Sequence, residues 1–391
     1  MKREKLIIIG AVLVDVIGFG IVIPILPFYV QEFSSSPTTV TMLFAAFSLC
    51  AFVSAPFLGA LSDRIGRRPV LILSICSTAV GWLVFASATS VAFLFVGRII
   101  DGAAAGNFTT AQSYLVDISK DDKERSANLG VIGAVFGVGF MLGPVLGGVL
   151  SKFGHATPFW FAGGLAALNA TLAFFFLPET HHHRNEKPLS INPLAPLIRA
   201  ANDTRARPLY ISWAMFALSF TTSQAVFALF VRKNFGFDSF TTGMTFTAVG
   251  LVVAVNQVVL LKRFWLHRFS EYQLEVIMIS GLMVGALMVA TKSLALFAIS
   301  LLLAGTGQSV LRVVLTSQIA GTADQKTKGE KLGILSSLMA AMMFAGPILA
   351  GPMFEWNDTL PYFAGAAYLS VGLWTAVRAH RATASVVAEP L

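Results

Sequence analysis

Apolar runs long enough to cross a lipid bilayer recur twelve times along this chain, and that repetition excludes a soluble architecture. A hydrocarbon core takes roughly 20 apolar residues of helix. The runs fall at 6–30, 39–61, 70–88, 91–116, 127–150, 158–177, 208–231, 241–261, 273–291, 294–318, 330–353 and 360–378. A polar stretch, 178–207, separates the first six from the last six. The expected organisation is an N-terminal six-helix half at 1–177, a cytoplasmic linker at 178–207, and a C-terminal six-helix half at 208–391 with a short cytoplasmic tail. Only 12% of the 391 residues are charged, against about a quarter in a soluble domain, so lipid is the solvent for most of the surface. The first run is too long for the apolar part of a cleavable leader and lacks a small-residue cleavage site. Cys50 and Cys76 both lie in apolar runs and read as small buried hydrophobes rather than a disulfide or a metal pair.

The charges outside the runs orient the chain. With the N-terminus inside, the inner segments hold 22 of the 28 Lys and Arg. The outer loops hold four, Lys152, Arg232, Lys233 and Lys292, and Arg98 and Arg312 fall inside runs. This bias places both termini in the cytoplasm. It also accounts for the net charge of +8, so no nucleic-acid partner is expected.

The two sets of six runs resemble one another. "ANLGVIGAVFGVGFMLGPVLGG" at 127–148 and "EKLGILSSLMAAMMFAGPILAG" at 330–351 share Leu-Gly and Gly-Pro at an offset of 203, and the same offset sets Gly102 on Gly305. Two similar six-helix halves around a midplane site is an architecture of secondary transporters.

Charge crowds into one gap, "GALSDRIGRRPV" at 59–70. Glycines there permit a tight reversal, Pro69 suits the first turn of the next helix, and an arginine can reach a carboxylate across the gap. This stretch resembles the signature loop of the major facilitator superfamily. "LFVGRIIDGAAAG" at 94–106 resembles the arginine motif of its fourth helix, and "GAVFGVGFMLGPVLGG" at 133–148 its antiporter motif. "LVDVIGFGIVIPILP" at 13–27 resembles the first helix of the twelve-span drug:proton antiporters, a group that includes the tetracycline exporters. The resemblance implies an all-α membrane protein with twelve transmembrane helices in two pseudo-symmetric six-helix halves. It implies an inward gate at Gly59, Asp63, Arg64, Gly66, Arg67 and Arg68, with Asp117 as the partner of Arg67. Gly133, Gly137, Gly143, Pro144, Gly147 and Gly148 would be the antiporter motif. The loop after the eighth run, "LKRFWLHRFSEYQ", lacks the Asp-Arg-x-Gly core, so the charge lock is expected in the first half alone.

Ionisable groups at membrane depth are costly, and each is a functional candidate. Asp15 lies midway along the first run. Arg98 and Asp101 are three apart and share one helix face, which suits a switch: a proton on Asp101 frees Arg98, and its release restores the pair. Asp101 is preferred to Asp15 for proton coupling, though both stay open. Arg312 cannot practically lose its charge and needs an anion, either a carboxylate or the cargo. Asn107, Gln112, Gln224 and Gln308, with Phe19 and Phe227, extend the expected substrate-binding set. "THHHRNEK" at 180–187 reads as a solvated linker rather than a metal site.

No catalytic constellation, phosphate loop or nucleotide fingerprint occurs, so an enzyme, a cofactor and a bound metal are not expected. The expected function is proton-coupled export of an amphipathic small molecule or drug by alternating access. The expected state is a monomer in the bacterial inner membrane, with protons, the small-molecule substrate and the bilayer as its partners. An anionic metabolite, siderophore or lipid-like cargo gripped by Arg312 is the alternative. A non-transporting receptor or scaffold is the more distant one.

Overall fold

The computed structural model describes residues 3–119, 121–180, 192–324 and 327–388. Fifteen α-helical segments and no strand occur among them. They are α1 (Arg3–Val30), α2 (Pro37–Ile65), α3 (Arg67–Ala86), α4 (Val91–Ala103), α5 (Asn107–Asp117), α6 (Asp122–Leu150), α7 (Thr157–Phe176) and α8 (Ala195–Asn202). There follow α9 (Arg207–Phe235), α10 (Ser239–Val255), α11 (Leu266–Arg268), α12 (Glu271–Ala290), α13 (Leu294–Gly321), α14 (Lys328–Trp356) and α15 (Leu360–Ala388). A π-helical stretch, Asn256–Trp265, joins α10 to α11, so Ser239–Arg268 is one uninterrupted apolar rod.

Eleven unbroken helices among the described residues are long and apolar enough to cross a membrane. The fourth expected run, 91–116, differs: it is two helices interrupted at Ala104–Gly106. Composition alone does not break it, since alanine favours helix. The surroundings do. The Ser54 hydroxyl donates to the Gly102 carbonyl at 2.8 Å, and Gly106 sits so close to Leu58 that a Cβ there would lie 2.8 Å from it.

Helix starts follow local chemistry. The Asp121 carboxylate accepts from the Glu124 amide at 2.7 Å and opens α6. Ser270 and Gln273 form a reciprocal capping box on α12. Asp238 opens α10 by accepting from Thr241. The Thr241 hydroxyl and amide hold the Asp238 carboxyl below the usual carboxylate range.

The chain divides into two compact units. One comprises residues 1–193 with 231–247, the other 194–230 with 248–391. In the first, α1 packs on α6 and α7, and α3 on α4 and α7. In the second, α12 packs on α13 and α15. The linker holds more order than a solvated stretch requires. Its helix α8 packs on α14, pinned by Arg199 to Glu330 and by Asp203 to Lys331, both at 2.8 Å. Burial pushes the Asp203 carboxyl up, but the hydrogen bonds from Lys331, Ala206 and Arg205 outweigh it and hold it below the usual range.

The repeat survives as geometry. A Cβ on Gly143 of α6 would press on Gly20 of α1, and one on Gly346 of α14 on Thr221 of α9. A Cβ on Gly102 of α4 would press on Phe47 and Cys50 of α2, and one on Gly305 of α13 on Val252 of α10. Residues 203 apart therefore serve corresponding helix pairs in the two units. The apolar exterior is what lipid requires: Val258 is 84% exposed and Phe175 70%, and scattered single positions do not explain so many large exposed side chains.

Candidate functional site

The site in the first unit grows from two glycine contacts. Gly81 on α3 and Gly97 on α4 let the helix backbones touch, for a Cβ on Gly97 would lie 2.8 Å from the Gly81 carbonyl oxygen. One turn further along α4, Asp101 rests over Gly81, where a Cβ would come within 2.8 Å of its own. Arg98, 1% exposed, reaches Asp101 with Nη1 to Oδ2 at 3.1 Å. The Thr78 side chain, one turn before Gly81, hydrogen-bonds the same carboxyl.

The guanidinium is only partly used. Its Nε and Nη2 are buried without a hydrogen-bond acceptor. It lies instead between two rings, 4.3 Å from the Phe47 centroid and 5.0 Å from that of Trp82. A desolvated cation gains about 2 kcal/mol from such faces. The rings hold the cation in place without depending on the carboxylate's charge. Phe47, Thr78 and Trp82 were absent from the sequence reading because aromatic and hydroxyl residues in apolar runs carry no signal of their partner.

A second cluster occupies the turn between α2 and α3. Gly66 has φ +113°, a conformation that favours glycine. The turn brings Arg67 to Asp63, to Asp117 (Nε to Oδ2, 3.0 Å) and to the Ser62 hydroxyl (2.6 Å). Gly59 and Arg64 do not join it: Gly59 has open space around it and Arg64 is exposed. The sequence reading missed Glu179, just beyond α7. Its carboxylate accepts from the Arg67 and Arg68 amides at 2.9 and 3.2 Å, at the positive end of α3. A Cβ on Gly66 would collide with that carboxylate. Arg68 in turn donates to the Phe174 carbonyl at 2.7 Å. The only signal was one acid directly after the sixth run. Glu179→Ala should cost about 1–2 kcal/mol and make the turn open to protease, read by limited proteolysis of the purified protein. Unchanged cleavage would show that the clamp holds nothing.

The antiporter-motif glycines divide. Gly143 and Gly147 face α1, where Cβ atoms would lie 2.7 Å from Gly20 and 3.0 Å from Ile25. Pro144 lies against Gly20, and Gly148 against Phe240. Gly139, not singled out in the sequence, completes the stripe against Val16. Gly137 faces open space. The surroundings of Gly133, the Asn107 side chain and the linker histidines His181–His183 lie outside the described residues.

Asp15, Phe19 and Gln112 are half-buried in the first unit. In the second, Gln224 and Phe227 of α9 are half-buried, with the Phe227 ring 5.8 Å from that of Phe297. Gln308 of α13 is half-buried and Arg312 exposed. Asn256 is a helix fastener: its Nδ2 donates to Thr306 at 3.1 Å, and its Oδ1 accepts from Trp265 at 2.9 Å. Glu275 is an ionisable residue the sequence reading passed over. It is 2% exposed, and its Oε1 is buried without a hydrogen-bond donor among the described residues. It stands one turn from a helix start, where a run's edge hides its depth.

Eleven spanning helices, a break beside a buried ion pair and paired helix contacts define a polytopic membrane transporter. The Major Facilitator Superfamily model matches residues 8–347, and the chain belongs to that superfamily. It is 30% identical to the class C tetracycline resistance protein of Escherichia coli over 386 residues, covering 95% of this chain and 96% of that one. It is 27% identical to multidrug resistance protein 2 of Bacillus subtilis, covering 95% and 94%. Among solved structures, the human organic anion transporter MFSD10 matches with TM-score 0.72 at 24% identity over 96% of this chain and 100% of that one. The nucleoside transporter NupG matches with TM-score 0.76 at 12% identity, covering 97% and 99%. Such likenesses concern the fold.

Proposed function

We propose that this protein is a proton-coupled exporter of amphipathic small molecules, working by alternating access. The observation that carries the reading is the Arg98–Asp101 pair, buried on α4 beside its break. A proton on Asp101 cancels the charge that holds Nη1, and the Phe47 and Trp82 rings keep the cation in place while the pair is open. Loss of the proton restores the attraction. Ionisable pairs at membrane depth are costly and mark such relays. The tetracycline and multidrug resistance proteins among the relatives support export as the direction. The charge bias of the loops supports both termini in the cytoplasm, the bacterial relatives support an inner membrane, and a monomer is the proposed state. Asp63, Arg67, Asp117 and Glu179 serve as the inward gate, and Gln112, Gln224, Gln308, Phe19 and Phe227 as cargo contacts.

The test uses full-length protein in sealed proteoliposomes with a panel of amphipathic dyes. Dye flux should rise with an imposed pH difference. Asp101→Asn should reduce that dependence at least tenfold, and Asp15→Asn should leave it in place. The opposite pattern would move the coupling role to Asp15. Equal flux with and without a pH difference would end the proton-coupled reading.

A further inference from the structure

We infer that the cargo carries an anionic group, and that Arg312 and Gln308 of α13 bind it. This deepens the transport reading above and rests on it. Arg312 stands at position 19 of the 28 residues of α13, inside the apolar span. Its guanidinium makes no ion pair among the described residues, and its backbone carbonyl accepts from Thr316. The five donors of the fork are thus unspent on a side chain that cannot discharge itself. Several other cations of the chain are paired with carboxylates. Arg98 has Asp101, Arg67 has Asp117, and Lys331 has Asp203.

Arg312 lies toward one edge of the exposed face of α13. The outward face of α13 is apolar, with Ile299 46% and Leu302 57% exposed. At 100° per residue, Gln308 and Arg312 lie roughly 80–120° round from Leu302 on the side away from Ile299, Arg312 in line with the exposed Leu294. They are four apart, so they neighbour each other on one face. Gln308 also makes no hydrogen bond among the described residues, and its amide is half-buried. A guanidinium fork one turn from a free amide is a donor set for a carboxylate, sulfonate or phosphate oxygen pair. Nothing in that set favours a cationic cargo, which Arg312 would repel. The sequence left the anion open between a protein carboxylate and the cargo; no described carboxylate pairs with Arg312, and the fork beside a free amide favours the cargo.

The experiment measures binding of three matched probes to purified full-length protein by titration calorimetry: a naphthyl carboxylate, its neutral carboxamide and the corresponding amine. The carboxylate should bind at least tenfold more tightly than the carboxamide, and the amine most weakly. Arg312→Gln should remove the carboxylate preference, Arg312→Lys should keep part of it, and Gln308→Ala should weaken it several-fold. If Arg312→Gln does not yield folded protein, the order of the three probes on the unaltered protein and the Arg312→Lys result decide. Tighter binding of the amine, equal binding of carboxylate and carboxamide, or carboxylate affinity unchanged by either arginine variant overturns the inference. So does the failure of all three probes to bind. Proton flux is read separately with the dye panel. Coupled flux with cationic dyes and no carboxylate preference would sink this inference alone. A carboxylate preference without coupled flux would sink the proton reading alone.

Discussion

Replacement of Arg98 by glutamine should cost about 3–5 kcal/mol of stability and remove proton-driven transport. The size follows from what is left behind. Asp101 is 6% exposed, and an ionised carboxylate stranded there loses its cation while keeping its desolvation. Thr78 supplies one hydrogen bond, far less than the missing charge. The two rings, at 4.3 and 5.0 Å, also lose the cation they face. Thermal unfolding of the purified variant measures the stability, and dye flux under a pH difference measures the coupling. The double variant Arg98→Gln, Asp101→Asn removes both charges, so it should regain most of the stability while staying uncoupled. A coupling energy near zero in that cycle would mean that the pair contributes nothing to the fold, and retained proton-driven flux in the double variant would remove it from the mechanism.

Gly143→Val should be the most damaging change in the antiporter motif, by about 1–3 kcal/mol or more. The Cβ would lie 2.7 Å from the Gly20 Cα and 2.9 Å from the Ile17 carbonyl oxygen. Both obstacles are backbone, so neither can rotate aside, and α1 must separate from α6. Helices in lipid associate chiefly by such close packing, without a hydrophobic drive between them. Gly137→Ala on the same helix is the control. Its Cβ meets open space, and alanine in a helix interior is favoured over glycine by roughly 0.5–1 kcal/mol. Melting temperatures of the two variants should move in opposite directions. Equal shifts would show that the motif glycines act through propensity rather than through contact.

Several particulars of the site were legible before any coordinates. Arg98 and Asp101 are three apart on one run, so helical periodicity alone brings them together. Arg67 and Asp63 flank a glycine in a charged gap, and the resemblance of that gap to the superfamily's signature loop implied Asp117, after the fourth run, as the partner of Arg67. The Leu-Gly and Gly-Pro repeats announced corresponding helices. Other particulars were not legible, for reasons that can be named. Glu179 lies 112 residues from Arg67, and no local pattern links an acid after one run to amides at the start of another. Gly137 and Gly143 are the same residue type in one motif, and only the position of α1 tells them apart. The break at Ala104–Gly106 runs against alanine's propensity and comes from Ser54 and Leu58 on α2.

The amino-acid order by itself determined that this chain lives in lipid, which segments are apolar enough to cross it, and most of the charges that remain at depth, Glu275 excepted. Each of those follows from transfer energies summed over a run, and such sums need no knowledge of neighbours. Tertiary structure alone decided which polar groups at depth are satisfied. Arg98 is answered by an acid and two rings, Asn256 is spent on holding helices together, and Arg312 is left with its donors unused. Pairing depends on distances of about 3 Å between residues far apart in the chain, and only the packing of helices sets those distances.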